Sequence, residues 1–556
     1  MSLKLPAKHL WRDDLIAVLL AVLWLVTWRA ALGISWGFDR LSLDARQLDM
    51  GLLYNGGDTW SYLSWVRQYQ TGSGLASLLY TAEPHQPLLW IFPLWAIGRF
   101  SALSGLPTIG VYNVASLVGA AASVWSFRRA AVSLGLGASA RNWATVALLL
   151  GSGCSWIWHL AHKLGLAHEA AAPELFFLDL FPATTFLIYP YHALGLALLA
   201  ALWWRALRLE ARLREHGSFG FSTLSVVVLA GLLASSRPYE PLAFLGAWTL
   251  KTAWHGLRRR VEPEAWSAAW RVQLVLAAAC APGVAWTVWI STRPVWSTFA
   301  HESLSLGNWF SPLSWIIALT GWIVLAVIGL GKGSINLRQA ILPVAATVLL
   351  VIIVVGVGSG HAKLASGLLL GPALLAGWAA ERIVHALPRV RFWIRVPIAA
   401  TLLFVLLGVP SLLLALQAIK LQPPPPLAPA VYTLAARLPV SPTDPPLVLA
   451  GPEPAAALPG LAGARVWAGH FSLTHHFLEK LARLRASGLD PSNRPSDQVA
   501  AARALDEILV EAPFQFALLD PTAIDAHAHL LGKGWTVFAS ADGWKLLVAP
   551  SRLAKP

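Results

Sequence analysis

The sequence predicts an α-helical polytopic membrane protein of about 11–12 transmembrane helices, with a small extracytoplasmic α/β domain at its C-terminal end. Three observations lead to this prediction. Of the 556 residues, 56% are hydrophobic and only 13% are charged, and the mean hydropathy is +0.59. Apolar runs of about 18 to 22 residues, long enough to cross a bilayer, recur along the chain. After Lys420 the composition changes to mixed polarity.

The apolar runs mark the candidate spans, and the clusters of Arg and Lys between them mark the cytoplasmic side. The candidate spans are 15–35, 87–105, 107–127, 142–160, 185–207, 220–236, 240–256, 272–291, 311–330, 340–358, 364–381 and 397–418. The basic clusters are 4–12, 128–141, 205–214, 258–271, 332–338 and 382–395. If all of these clusters are cytoplasmic, every segment after 107 alternates sides without conflict.

One segment breaks the alternation. With the N-terminus inside and residues 36–86 outside, segments 87–105 and 107–127 cannot both cross and still leave Arg128 inside. We expect 87–105, which Pro and Gly interrupt, to be a re-entrant or interfacial helix. About 11 spans then remain, an odd number that places the C-terminus outside. A true twelfth crossing would invert this side.

The same patterns predict three domains. Residues 1–421 form the membrane domain with a first extracytoplasmic loop at 36–86, residues 422–429 a stiff Pro-rich linker, and residues 430–556 the extracytoplasmic domain. In the last, short apolar strands alternate with helical stretches, which is typical of an α/β domain. The predicted strands are 447–450, 465–468, 516–520, 535–540 and 544–549, and the predicted amphipathic helices lie near 473–486 and 497–511.

Composition and missing motifs exclude several classes of function. The net charge of +14 comes from basic clusters between spans, so it indicates membrane orientation and no nucleic-acid partner. Cys154 and Cys280 fall inside apolar segments, so no structural disulfide is expected. The first apolar run lacks a small-residue cleavage site, so we expect it to be an anchor and no removed signal. Without a Walker A, GxGxxG, HExxH or GxSxG motif, an enzyme acting outside needs a membrane-delivered, already activated substrate.

The first loop is the most acidic part of the predicted extracytoplasmic side. It carries Asp39, Asp44, Asp49, Asp58 and Glu83, and long ordered loops in compact proteins are usually functional. Asp58 stands in GGDTWSYLSWVRQY, ahead of a helical run. It is either a general base that accepts a proton from an attacking hydroxyl or the N-cap of that helix. We expect the other three aspartates to be solvated.

Polar residues also gather at predicted span ends on this side, where a lipid head group meets an aqueous partner. Glu83 and His85, in EPHQP, either line a site or belong to a Pro-shaped turn. Arg237, in RPYE, either recognises phosphate or anchors the span end in a pair with Glu240.

Two histidine groups complete the candidates. His361 and Lys363, in HAK, are either phosphate ligands or flanking charges. His159 and His162 share a helix face and precede His168 and Glu169, but their spacing is not diagnostic of a metal site. No metal ligand is therefore predicted, and a divalent cation remains an open cofactor.

These motifs resemble those of the GT-C superfamily of integral-membrane glycosyltransferases. The sequence is most similar to the protein-mannosyltransferase and aminoarabinose-transferase type and to bacterial relatives of that type. The matching motifs are DTWSY at 58–62, YTAEPHQP at 80–87, GSGCSW at 151–156, Glu174 with Phe176, PYH at 190–192, AGH at 468–470, and Lys480. The chain departs from the family where Thr59 replaces a second acid and where His-Gln-Pro replaces His-Pro-Pro.

The resemblance implies transfer of a sugar from a polyprenyl-phosphate-linked donor to an acceptor hydroxyl of a protein, lipid or glycan on the extracytoplasmic side, with inversion. Asp58 would be the base, and Arg237 or Lys363 would hold the departing phosphate. The full implied substrate-binding set is Tyr62, Glu83, His85, His192, Arg237, Glu240, His361 and Lys363. The implied partners are the donor, an unidentified acceptor and the lipid bilayer.

The alternative is a non-catalytic scaffold of the same architecture, or a polytopic transporter of a lipid-linked substrate. A transporter is expected to carry inverted repeats and charges near the bilayer midplane. The sequence shows neither clearly, so the transferase is the preferred hypothesis.

The predicted topology places residues 36–86 and the tail after Lys420 outside. Ser492→Cys should therefore react with an impermeant thiol reagent in intact cells, whereas Ser218→Cys, beside a basic cluster, should react only after permeabilisation. Labelling of Ser218→Cys in intact cells would contradict the topology.

Overall fold

The structure is a computed structural model that describes residues 7–31, 56–165, 181–182, 185–186, 189–260, 262–305, 311–331, 337–356, 365, 367–409, 427–492 and 495–550. Several residues singled out from the sequence lie outside these ranges. They are Asp39, Asp44, Asp49, His168, Glu169, Glu174, Phe176, His361 and Lys363, together with most of the 422–429 linker.

Most of the described chain is helical. In chain order the α-helices are α1 (Ala7–Ala31), α2 (Gly56–Gln70), α3 (Phe92–Ser104), α4 (Thr108–Ser133), α5 (Ala138–Leu150), α6 (Trp156–Lys163), α7 (Pro190–His216), α8 (Phe221–Ser236), α9 (Tyr239–Leu257), α10 (Pro263–Ser291), α11 (Pro294–Ser305), α12 (Pro312–Leu330), α13 (Leu337–Val351), α14 (Leu370–Ala386), α15 (Phe392–Leu403), α16 (Pro429–Ala435), α17 (Pro452–Leu461), α18 (Phe477–Ala486), α19 (Gln498–Glu511) and α20 (Ile524–Gly532). Single π-helical turns follow α13 at Ile352–Gly356 and α15 at Phe404–Gly408.

The chain divides into two compact units. The first holds residues 1–33, 114–288 and 304–421, and the second holds 34–113, 289–303 and 422–556. The second unit therefore combines the first loop with the C-terminal tail, although more than 300 residues separate them in sequence.

The helices of the membrane region follow the apolar segments of the sequence. Among the described residues, three helices are long and apolar enough to cross a membrane: Thr108–Ser133, Pro263–Ser291 and Pro312–Leu330. On α10, Trp270, Leu274 and Val288 are exposed, as expected for side chains that face lipid. These features indicate a membrane-associated helical protein, while the count of about 11–12 spans stays a prediction.

The candidate span at 142–160 does not form one continuous helix. α5 ends at Leu150, and α6 begins at Trp156. The intervening GSGCS has low helix propensity, and neighbouring segments of the first unit bind its backbone. Ser152 N–H donates to Leu407 O at 3.1 Å, and Cys154 N–H donates to Ala318 O at 3.0 Å. Irregular backbone at membrane depth requires such partners within the protein.

The interrupted segment 87–105 forms only the short helix α3 in the second unit. Its 13 residues span about 20 Å, less than the about 30 Å hydrocarbon core. α3 alone is therefore too short to cross, in agreement with the expectation of a re-entrant or interfacial helix.

The second unit contains a mixed five-stranded sheet formed by the tail. Its strands are β1 (Leu447–Ala450), β2 (Arg465–Val466), β3 (Phe516–Leu519), β4 (Thr536–Ala541) and β5 (Trp544–Val548), in the order β2-β1-β3-β5-β4. β1 is parallel to β2 and β3, whereas β5 is antiparallel to β3 and β4. Apolar side chains such as Leu449, Ile508 and Leu547 form its core.

Residues of the first loop continue this sheet beyond β2. Val466 N–H donates to Leu79 O at 2.8 Å, and Thr81 forms an antiparallel bridge with Ala468. The loop helix α2 also packs against α17 of the tail. A Cβ on Gly460 would lie 2.9 Å from the carbonyl oxygen of Trp60, so glycine permits this close approach. The first loop and the tail thus form one packed structure.

Candidate active site

Asp58 lies in the first turn of α2, which begins two residues earlier at Gly56. It therefore follows the helix start, whereas an N-cap would precede it. A carboxylate in the first turn interacts favourably with the positive end of the helix dipole. The Asp58 side chain is 28% exposed, and its Oδ1 lies 3.2 Å from Nε2 of His470 in the tail. The structure thus joins a first-loop acid to a tail histidine.

The contacts of His470 fix which ring nitrogen carries the proton. The backbone N–H of Ser472 lies 3.2 Å from His470 Nδ1 and donates to it. Nδ1 must then be an acceptor, and in the neutral ring the proton sits on Nε2. Nε2–H therefore donates to Asp58 Oδ1. Because the imidazole is only 1% exposed, packing holds this orientation.

The loop that carries His470 is tied to Tyr80 in the first loop. Thr474 Oγ1 donates to Tyr80 O at 2.7 Å and accepts from the N–H groups of Gly469 and His470, both at 3.2 Å. A Cβ on Gly469 would lie 2.5 Å from Ala455 O, so only glycine fits the AGH motif here without a shift. These bonds place the imidazole beside Asp58.

Two aromatic rings flank the imidazole. The Tyr80 ring lies 5.5 Å from that of His470, and Phe471 stacks on it at 4.7 Å with an interplanar angle of 21°. Tyr80 is buried, and its hydroxyl donates to Ala456 O at 3.0 Å. Burial, with a contribution from the Asp58 charge, raises the pKa of Tyr80 well above its usual range. Tyr80 therefore stays a neutral hydrogen-bond donor. The other flanking ring, Phe471, is 40% exposed.

Glu83, expected to line a substrate, forms an ion pair within the second unit. Its Oε1 accepts from Lys480 Nζ at 2.6 Å, and its Oε2 accepts from Thr81 Oγ1. Lys480 is only 3% exposed and lies 5.4 Å from the ring centroid of Trp467. Burial would raise the pKa of Glu83, but the hydrogen bonds from Lys480 and Thr81 outweigh burial and lower it. Glu83 is thus a carboxylate at neutral pH.

His85 has both ring nitrogens engaged with the backbone of the first loop. Leu78 N–H donates to Nε2 at 2.9 Å, so Nδ1 carries the proton and donates to Glu83 O at 2.8 Å. Burial lowers the pKa of His85, with a further contribution from the Arg465 charge. The neutral ring of His85 therefore closes the turn, which is the alternative that the Pro-rich sequence left open.

In the first unit, His192, Arg237 and Glu240 form a buried cluster. Arg237 Nη2 lies 2.7 Å from Glu240 Oε1, with both side chains at most 2% exposed, and Arg237 Nη1 bonds to His192 Nδ1. Tyr191 and Tyr239 lie 5.5 and 5.2 Å from the guanidinium carbon. The structure thus brings together three residues singled out from two separate motifs, PYH and RPYE.

The remaining candidate in the second unit is Tyr62, one turn after Asp58 on α2. It is partly buried, and its ring lies 6.0 Å from that of Trp65. In the part of the chain that the structure describes, no group of three His, Cys, Asp or Glu side chains is placed to hold a metal.

Two residues, His470 and Lys480, received no role from the sequence. Each belongs to a motif that resembles bacterial relatives, but only the folded chain shows that they pair with Asp58 and Glu83. The signal in the sequence was the AGH motif and the later lysine.

The lowered pKa of Glu83 predicts an acid-sensitive contact. A carboxyl group whose pKa is lower in the folded than in the unfolded state stabilises the fold fully at pH values above its unfolded-state pKa. This stabilisation is lost as the pH falls through the folded-state pKa. Glu83→Gln should therefore lower Tm at about pH 7, and the difference from wild type should shrink towards about pH 3.

Differential scanning calorimetry at several pH values would test this. Glu507→Gln is the matched control, because Glu507 is an exposed carboxylate of the same unit. The control variant should differ from wild type in Tm by an amount that does not change with pH. If the Tm difference between wild type and Glu83→Gln is also constant with pH, the assignment of Glu83 as an ionised, paired carboxylate is contradicted.

Comparison with known proteins gives similarity only at the level of structure. No protein-family model matches the sequence, and no curated protein matches it. The oligosaccharyltransferase of Archaeoglobus fulgidus, solved in the apo form and tethered to an acceptor peptide containing the NVT sequon, aligns with a TM-score of 0.51 at 10% identity. The alignment covers 91% of this chain and 69% of that one.

The arabinofuranosyltransferase AftD from Mycobacteria is a second structural neighbour. It aligns with a TM-score of 0.50 at 15% identity, and the alignment covers 98% of this chain. The match extends over 40% of the AftD chain, so the protein corresponds to less than half of that enzyme. Both neighbours are GT-C superfamily glycosyltransferases. At this identity the likeness shows the fold alone: the chain shares the fold of these two enzymes, as the sequence resemblance led us to expect.

Proposed function

We propose that the protein is a membrane glycosyltransferase that moves a sugar from a polyprenyl-phosphate-linked donor to an acceptor hydroxyl on the extracytoplasmic side. The observation that carries this proposal is the Asp58–His470 pair: a partly exposed carboxylate held by a buried, neutral imidazole. The GT-C fold adds support, since both structural neighbours are glycosyltransferases.

In the proposed reaction Asp58 is the general base. As the acceptor oxygen attacks the anomeric carbon, the Asp58 carboxylate takes the hydroxyl proton. The bond from the anomeric carbon to the phosphate oxygen breaks, and the polyprenyl phosphate leaves with the electron pair. Attack from the face opposite the leaving group inverts the anomeric configuration.

His470 is a positioning residue in this scheme. Its Nε2–H bond to Oδ1 restricts the rotation of the Asp58 carboxylate, and Ser472 keeps the ring in the tautomer that donates. Orientation of a reacting group contributes strongly to rate, because misplacement by about 1 Å can cost about 100-fold. Glu83 and Lys480 would support the same loop, and His85 would shape the turn beside it.

Arg237 is the proposed phosphate ligand of the first unit. A planar guanidinium can hold a phosphate through two parallel hydrogen bonds. Its pair with Glu240 and its bond to His192 keep it oriented in the absence of substrate. Tyr62, His361 and Lys363 remain substrate-binding residues by sequence alone.

We also propose the membrane arrangement that the sequence predicts. The N-terminus is cytoplasmic, residues 1–421 form the membrane domain, and a linker at 422–429 leads to the domain at 430–556. The loop 36–86 and the C-terminal domain face the extracytoplasmic side of a bacterial inner membrane. The hydrogen bonds between the loop and the tail within the second unit support placing both on one side.

The role of Asp58 is tested by Asp58→Asn. Asparagine keeps the shape of aspartate and an oxygen that can accept from His470 Nε2–H, but it is a very poor base. General-base catalysis contributes about 10²–10⁴ in rate, so transfer should fall at least about 100-fold while expression and Tm stay close to wild type. The measurement is mass spectrometry of cell-envelope glycans and glycoproteins in a deletion strain complemented with each variant.

Asp497→Asn is the matched control. Asp497 is the N-cap of α19, where its side chain accepts from the N–H groups of Val499 and Ala500, and asparagine caps nearly as well. The control should keep both stability and glycan products. Transfer by Asp58→Asn within a few-fold of wild type would remove Asp58 from the mechanism and favour a non-catalytic scaffold or a different base.

A further inference from the structure

A cluster of arginines lies at one end of three helices in the first unit. α1, α4 and α5 bring Arg128, Arg129 and Arg141 together around Asp14, whose side chain is fully buried. Arg128 Nε donates to Asp14 Oδ1 at 2.8 Å, and Arg129 Nε lies 3.2 Å from Asp14 Oδ2. Arg141 is close enough to interact electrostatically with all three. Trp11 and Asp14 of α1 thus lie beside the basic cluster 128–141 in this unit.

The guanidinium donors of this cluster exceed its acceptors. Arg128 Nη1 also donates to Asn142 Oδ1 at 2.9 Å and to Thr145 Oγ1 at 3.2 Å. Within the described ranges, however, no acceptor bonds to Arg128 Nη2, Arg129 Nη2 or Arg141 Nε, although all three atoms are buried. A buried N–H donor of this kind destabilises the fold unless an acceptor forms a hydrogen bond with it.

Positive charges also outnumber negative charges in this cluster. Three guanidinium groups surround the one buried carboxylate of Asp14, and Asp13, the other carboxylate in range, is exposed. The positive-inside rule accounts for basic residues at this membrane face. It does not account for Arg128 and Arg141 being buried to 1% and 2% exposure. An anion among these side chains would satisfy both the charge and the donors.

The cluster reaches the protein surface at Arg129, next to Trp11. Arg129 packs between Trp11 and Trp125, with its guanidinium carbon 5.1 and 4.7 Å from the two ring centroids. Arg129 is 16% exposed and Trp11 is 60% exposed. Exposed tryptophan is typical of the head-group level of a bilayer. A phosphate at that level can therefore approach the donors past Trp11.

We propose that Arg128, Arg129 and Arg141 form a binding site for the phosphate group of an anionic ligand, at the membrane face that the sequence predicts to be cytoplasmic. The forked guanidinium suits phosphate, and basic pockets between membrane helices bind anionic head groups. The phosphate comes either from a phospholipid or from free phosphate in solution. The site is independent of the proposed glycosyl transfer.

The test uses purified full-length protein in detergent with phosphatidylglycerol, phosphatidylcholine or inorganic phosphate. Native mass spectrometry measures retained lipid, and thermal unfolding measures stabilisation. Wild type should retain phosphatidylglycerol over phosphatidylcholine. Arg129→Gln and Arg141→Gln should each weaken this binding about tenfold, because each removes a charge-assisted donor. Arg259→Gln, which changes an exposed arginine in another basic cluster, should bind as wild type does.

The different ligands in this test distinguish a phospholipid from free phosphate as the source of the bound phosphate group. Stabilisation by phosphatidylglycerol alone identifies a lipid phosphate, and stabilisation by inorganic phosphate alone identifies a free one; either supports the site provided that the two cluster variants lose it. Equal retention of both lipids with no effect of inorganic phosphate overturns the proposal. So does binding that is unchanged in Arg129→Gln and Arg141→Gln. The comparison of ligands in wild type holds even if a variant fails to fold.

Discussion

The candidate active site depends on one hydrogen bond that joins distant parts of the sequence, from His470 Nε2 to Asp58 Oδ1 at 3.2 Å. Asp58 sits on a short helix of the first loop, and His470 sits on a turn of the tail. The surrounding contacts hold these two elements in register: Thr474 bonds to the Tyr80 carbonyl, Gly469 allows close approach to Ala455, and Ser472 sets the tautomer of the imidazole. The tail therefore helps to build the candidate active site.

Two charged side chains that the sequence singled out, Glu83 and Arg237, are paired with an opposite charge in the structure. Glu83 pairs with Lys480 and Arg237 with Glu240, as the cost of burying an isolated charge requires. The arginines around Asp14 differ, since Arg128 and Arg129 both contact this one buried carboxylate and Arg141 lies within electrostatic range of it. The contrast with the Glu83–Lys480 pair distinguishes a completed ion pair from a site that can take an anion.

Much of the architecture could be predicted from hydrophobic pattern, because periodicity and composition are local. Strand β1 lies where the apolar run LVLA predicts it, and each apolar segment contains a helix. The break after Leu150 was missed, since its cause is bonding to Leu407 and Ala318, far away in sequence. The site shows the same limit. The motif singles out Asp58 as a candidate, but its partner His470 lies 412 residues away, and no local pattern specifies such a pairing.

The central claim is that His470 acts on transfer through Asp58. The most direct test is a double-mutant cycle with Asp58→Asn, His470→Leu and the double variant, followed by the rate at which the glycan product forms. His470→Leu should reduce kcat at least about tenfold, because Asp58 loses its positioning. His470→Gln should retain more of the kcat than His470→Leu does, because glutamine keeps an N–H donor. In the Asp58→Asn background, His470→Leu should reduce kcat little further. Effects of Asp58→Asn and His470→Leu that multiply independently, or no rescue by glutamine, would contradict the account.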